Sequence, residues 1–152
     1  MRRRRDRRQG FTLYETLLVL AIVAGLTTLV GFQASHQRQI TSERAFWPVW
    51  QQAWTAGRQW ALAHRTIVDV HIDPNTGRTS FRDGVTHHLL RTVKAPPGLR
   101  LLPPAADLEI RRNGVSTAQT LWWHSRPSGN YWQQTFQIGG ALIYVEATTE
   151  AP

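Results

Sequence analysis

The chain has 152 residues, with 18 Lys and Arg against 10 Asp and Glu, and no cysteine. Its formal charge of +8 is unevenly spread: residues 1–10 hold six Arg and one Asp, leaving 12 basic against 9 acidic residues, or +3, over the other 142. This excludes a disulfide scaffold and removes most of the charge argument for a nucleic-acid-binding domain.

The Arg-rich start ends at Gly10, and Phe11-Thr12-Leu13-Tyr14-Glu15-Thr16 follows. From Thr16 to Gln37 there is no charged residue, and Leu17–Val30 is almost wholly apolar. A bilayer core of about 30 Å needs about 20 helical residues, and in lipid the backbone must satisfy its own hydrogen bonds. Phe11–Phe32 is therefore expected to be a membrane-spanning helix. An Arg-rich flank stays on the cytoplasmic side, so the orientation is N-in and C-out in the cytoplasmic membrane. A secretory signal peptide is one alternative, but it has a shorter apolar core and ends in small residues. Here Phe32 stands where a small residue is wanted for a cut after Ala34. An uncleaved signal anchor carrying a surface binding module is the other. Arg7-Arg8 hints at twin-arginine export, but Glu15 interrupts the apolar context that this needs.

Gly10, Phe11, Thr12-Leu13 and Glu15, set just before a spanning run, resemble the class III signal of prepilins. These are the subunits of type IV pili and of their secretion and DNA-uptake relatives. The resemblance implies that a prepilin peptidase cuts after Gly10 and methylates the new amino group of Phe11. It divides the chain into a leader (1–10), a transmembrane and filament-core helix (11–37) and an exported pilin head (38–152). It also implies a role for Glu15. A carboxylate at the edge of an apolar helix is costly, though snorkelling relieves an interfacial acid. The cut creates an amine on Phe11 with an ordinary pKa near 8. Glu15 lies about 6 Å further along the helix axis, so an axially shifted neighbour could bring its own Phe11 amine to it and set the subunit register.

Beyond the apolar run the helical pattern continues, and one helix is predicted over Thr12–Ala63. Phe46, Trp50, Ala53, Gly57, Trp60 and Ala61 form an apolar stripe, flanked by Trp47 and Trp54. Pro48 should either kink the helix or begin a new one. Strands are predicted at Thr66–Ile72, Thr79–Arg82, Val85–Val93, Leu99–Leu102, Leu108–Arg112, Thr117–His124, Tyr131–Ile138 and Ala141–Ala147. They are separated by turn signals at Asp73–Gly77, Asp83-Gly84, Asn113-Gly114 and Gly139-Gly140. A long helix followed by antiparallel strands is α+β, with a sheet expected over the outer half of the helix.

The early hairpin at Asn75-Thr76-Gly77, Ile110-Arg111-Arg112-Asn113-Gly114, and the Gly-Gly hairpin at Phe136–Val145 resemble the D-type minor pseudopilin of the Gram-positive competence operon. They are also similar to the H-type minor pseudopilin of type II secretion. Many Gram-negative pilins close a terminal loop with a disulfide, and this cysteine-free chain departs from that pattern. The implied partners are the peptidase, other major and minor pseudopilins, the membrane and, through the assembled machine, DNA. The implied role is structural, in pseudopilus assembly and transformation, or in protein secretion as the rival.

No nucleophile elbow, P-loop, zincin helix or dinucleotide fingerprint is present, so neither catalysis nor a cofactor is expected. His87-His88 are read as neighbours on a strand, which point to opposite faces and do not chelate. His64, His71 and His124 have no carboxylate at a telling spacing. Trp47, Trp50, Trp54 and Trp60 are read as core. Trp122, Trp123 and Trp132 lie on paired strands, where alternation buries some and exposes others. An exposed ring beside Arg111, Arg112 or Arg126 could stack on a DNA base, with Arg78, Arg82 and Arg100 on phosphates.

Overall fold

The computed structural model describes residues 13–104, 106–137, 139 and 143–152, with the side chains of 29–32 and 34 set aside. The chain divides into two units, one ending at Gln37 and the other running Arg38–Pro152. A single helix, α1 (Leu13–His64), supplies all of the first unit's described structure and the start of the second.

From Leu13 to Leu26 the helix exposes apolar side chains all round. Leu13, Tyr14, Leu17, Leu18, Val19, Leu20, Ile22, Val23 and Leu26 are all exposed. Thr16, Thr27 and Thr28 return their hydroxyls to carbonyls one turn back, Thr28 Oγ1 to Gly25 O at 2.7 Å. This satisfies the hydroxyls within the helix. Among the described residues, no helix is long and apolar enough to cross a membrane. The predicted span, Phe11–Phe32, begins and ends outside the described side chains.

The second unit carries the core. α1 continues through Pro48 without restarting. Proline removes one helical hydrogen bond and costs about 3 kcal/mol in a helix interior. Pro48 is exposed, while Phe46, Trp47, Trp50, Ala53 and Trp54 around it are buried. Burying one such ring is worth about 1.5–3 kcal/mol, so packing outweighs the lost bond.

Among the described residues eight strands follow: β1 (Val68–Asp73), β2 (Arg78–Asp83), β3 (Leu89–Lys94), β4 (Leu99–Leu101), β5 (Ala106–Ile110), β6 (Gln119–Ser125), β7 (Tyr131–Phe136) and β8 (Ile143–Thr148). They form two four-stranded antiparallel sheets, not the one expected. Sheet A has the order β3-β2-β1-β5 and sheet B the order β4-β6-β7-β8. Proline ends β4 early: Pro103-Pro104 lack the N–H groups that would carry the ladder past Leu102. β5 then crosses to pair with β1 of the other sheet.

Strand alternation selects the inner faces. β1 buries Val68, Val70 and Ile72, and β5 buries Ala106, Leu108 and Ile110. The helix lies against both sheets. Trp50 donates Nε1–H to Thr79 Oγ1 on sheet A at 3.2 Å, and its ring meets Phe81 of sheet A and Phe136 of sheet B. Phe46 and Trp47 pack on Trp123 of sheet B. Gly57 has a steric reason to be glycine, since a Cβ there would lie 3.3 Å from both Ile110 and Phe81.

The third strand begins at Leu89, not at Val85. The Asp83 carboxylate accepts the N–H groups of Val85 and Thr86 at 3.0 and 2.9 Å and curls 84–88 into a turn. His87 sits there at φ 56°, so His87-His88 is a loop pair and not a strand pair.

Candidate functional site

The residues that the sequence marks for processing, Gly10 and Phe11, lie outside the described residues. Glu15 stands in the first turn of α1, exposed, beside an apolar groove of Thr16, Val19, Leu20 and Val23. Nine large apolar side chains between 48% and 79% exposed stand on this stretch of the helix, from Leu13 to Leu26. A monomeric soluble protein rarely exposes so large a contiguous apolar surface.

The basic residues marked for DNA do not form one cluster around exposed rings. Arg111 and Arg112 follow β5 of sheet A, where Arg111 N–H bonds Val115 O and its side chain stands 3.9 Å from Glu109. Arg126 follows β6 of sheet B, its N–H bonded to Gly98 O. None of the seven indoles is exposed. Trp47, Trp50, Trp54 and Trp123 are buried, and Trp60, Trp122 and Trp132 are half-buried. Trp132 leans on Trp47 at 5.4 Å, and Trp123 donates Nε1–H to Gln134 Oε1 at 3.0 Å. The three rings that are not buried, Trp60, Trp122 and Trp132, keep only part of their surface open.

Sequence reasoning missed four features. Asp83 is a carboxylate, 5% exposed, that ties three segments together. Besides the two loop N–H groups it accepts Trp60 Nε1–H at 3.0 Å from the helix and Thr66 Oγ1–H at 3.4 Å. The Thr86 N–H, then the Trp60 indole, hold its carboxyl well below the usual carboxylate range. Asp73 is lowered in the same way by the Thr76 hydroxyl and the Asn75 N–H of its turn. Both belong to Asp-Gly or Asp-Pro turn signals, so the turn was legible and the charge hub was not.

His71 does have a carboxylate partner. It pairs with Asp107, which the β1–β5 register places directly opposite. The two are 36 residues apart, a separation that no local spacing reveals. Glu43, one turn before Trp47, is 1% exposed, and its Oε1 has no hydrogen-bond partner among the described residues. It lies against Gly98, where a Cβ would meet Glu43 Oε1 at 3.0 Å and Pro127 at 2.7 Å. That close approach explains why residue 98 is glycine.

Among the described residues no group of three His, Cys, Asp or Glu is arranged to hold a metal.

No protein-family model and no curated protein matches the chain. Among solved structures, its fold is similar to that of the minor pseudopilin EpsH from the type 2 secretion system of Vibrio cholerae. The TM-score is 0.55 at 19% identity, over 72% of this chain and 99% of that one. The likeness is one of fold: a helix packed on antiparallel sheets in the pilin-like α+β arrangement.

Proposed function

We propose that the chain is a minor pilin-like structural subunit of an envelope filament, built with other pseudopilins and without chemistry of its own. One observation carries this reading. The same helix that anchors a pilin-like head core bears, in its first part, apolar side chains exposed on every side. Such a surface is covered by lipid before assembly and by other helices after it. The prepilin-like junction Gly10-Phe11 and the acid Glu15 supply the rest: a leader removed by prepilin peptidase, a methylated Phe11, and a carboxylate that pairs with a neighbour's Phe11 amine.

Of the machines that use such subunits, a type II secretion pseudopilus is favoured by the fold likeness to EpsH. The second reading is a competence pseudopilus that imports DNA. It rests on the order of turns and strands and on the absence of cysteine.

The intact mass of the protein extracted from cells with an active prepilin peptidase tests the shared claim. The expected species starts at methylated Phe11, and an uncut chain would overturn the filament reading in favour of a signal anchor. Glu15→Ala should be cut normally and fail to restore a deletion strain; full restoration would reduce Glu15 to an interfacial acid. The deletion itself separates the machines. Lost secretion with intact transformation selects the first reading, and the reverse selects the second.

A further inference from the structure

The polar ties between α1 and the rest of the head change at Pro48. After it, they are made. Trp50 Nε1–H goes to Thr79, Gln51 Nε2–H to the Ile143 carbonyl, Arg58 Nε–H to the Gly114 carbonyl and Trp60 Nε1–H to Asp83. Before it, groups are left over. Among the described residues four buried side-chain atoms have no hydrogen-bond partner: Glu43 Oε1, Trp47 Nε1, Trp132 Nε1 and Gln134 Nε2. All four belong to one contact, where Glu43–Trp47 of α1 lies on sheet B. Trp47 packs on Trp123 and Trp132, which are opposite each other in the register. Gln134 accepts the Trp123 indole, and Glu43 lies against Gly98, which leads into β4. Buried polar groups are ordinarily bonded. Left unbonded, each favours a state in which water reaches it, a carboxylate most of all. The helix is weakened at the same place. Pro48 has no N–H to give to the Arg44 carbonyl, so one bond joining this turn to the next cannot form.

We infer that Glu43–Trp47 is a detachable part of the head. It swings off sheet B about Pro48 and returns, while the helix from Trp50 to Trp60 stays docked. Two opposed effects meet on this turn. Burial of the Phe46 and Trp47 rings against Trp123 draws it onto the sheet. Three N–H groups and a carboxylate oxygen gain water when it leaves. Beyond Pro48 there is no such opposition, because Trp50 is both buried and hydrogen-bonded. The proline and the unbonded groups are separate features, and they fall on adjacent turns of the helix. Opening uncovers Phe46, Trp47 and Trp123, an aromatic patch that the closed head keeps from solvent. Segments that open on their own are drawn from the least firmly tied parts of a fold. The inference concerns the head alone and holds whether or not the chain enters a filament.

Amide hydrogen exchange of the full-length protein in mild detergent, read by mass spectrometry, tests this. Relative to intrinsic rates, amides of 43–47 should exchange at least about tenfold faster than those of 50–56, although both lie in one helix. Low urea should barely change exchange over 43–47, because a local opening exposes little surface, and should speed exchange over 50–56. Glu43→Met keeps the length of the side chain and removes its charge. It should slow exchange over 43–47 by about tenfold. Pro48→Ala restores the bond to the Arg44 carbonyl and should slow it as well. Three results would overturn the inference. Exchange over 43–47 as slow as over 50–56, with the same urea dependence, would mean that the turn opens only with the whole head. Faster exchange in Glu43→Met would show that the carboxylate is a tie of the closed head. Unchanged exchange in Pro48→Ala would remove the hinge, and this variant decides the matter if Glu43→Met does not fold.

Discussion

Within α1, Leu17, Leu20, Ile22 and Leu26 are 54–69% exposed, whereas Phe46, Trp50, Trp54 and Ala61 are 5% exposed or less. The backbone is the same regular helix in both places, so the difference lies in the side-chain pattern. The first part, from Leu13 to Leu26, exposes apolar side chains all round. The second part concentrates its bulk on one side: Phe46, Trp50, Ala53, Gly57 and Ala61 recur every three or four residues, with Arg44, Gln52 and Gln59 on the exposed side. A stripe calls for a partner of limited width, and eight strands of the same chain supply it. A helix apolar in every direction calls for apolar cover on every side.

That contrast can be broken by substitution. The largest effect is expected at Trp50, which is 1% exposed, stacks on Trp54 at 5.6 Å and bonds Thr79. Trp50→Ala should destabilise the head by about 3–5 kcal/mol, read by denaturant unfolding with the remaining indoles as probe. A change within error would show that the helix is not the centre of the core.

Next comes Gly98, wedged between Pro127 and Glu43. Gly98→Ala forces the 126–129 turn or the helix side chain to move and should cost about 1–3 kcal/mol. The same substitution at Gly25, which has open space around it, should not lower the stability of the head, and may be followed in the same unfolding assay.

Acid gives a third, intermediate test. The folded Asp83 carboxyl titrates well below its ordinary value of 3.8. A carboxylate depressed by folding contributes stability that is fully present above its unfolded pKa and is lost as pH falls through the folded one. Thermal midpoints should therefore hold above about pH 5 and drop below about pH 4. Asp83→Asn should start lower and show a shallower acid slope. Identical slopes for the parent chain and Asp83→Asn would remove Asp83 as the acid-sensitive tie.

The smallest effect belongs to the other part of the helix. Leu20→Ala, at a side chain 69% exposed, should shift unfolding of the head by no more than about 0.5 kcal/mol. Under the filament reading it should still weaken incorporation. A large loss of head stability would mean that the first part of α1 is packed within its own chain.

How much of this was legible in the sequence follows from the range of each interaction. Periodicity is local, so the helix, read as Thr12–Ala63, is observed as Leu13–His64, and the stripe that it buries was visible residue by residue. Turn chemistry is local too: Asp73–Gly77 does reverse the chain between β1 and β2. The third strand was read four residues too early because Val85-Thr86 look β-prone, while the Asp83 carboxylate beside them holds their N–H groups in a turn. Pro48 was read as a kink or a restart; the helix does not restart there, because the bulky rings on either side are held by both sheets. The DNA platform depended on which tryptophans face outward, and that was set by partners far along the chain.

By itself, the sequence determined the helix, its uniformly apolar start, its striped continuation, the hairpin turns and the α+β class, because each depends on residues a few positions apart. Only the tertiary structure decided that the strands divide into two sheets and that Asp83 gathers three segments. Only it set His71 opposite Asp107, and Arg78 between Asp73 and Lys94. The physical reason is register: strand pairing joins residues tens of positions apart, and no local pattern of side chains fixes which of them meet.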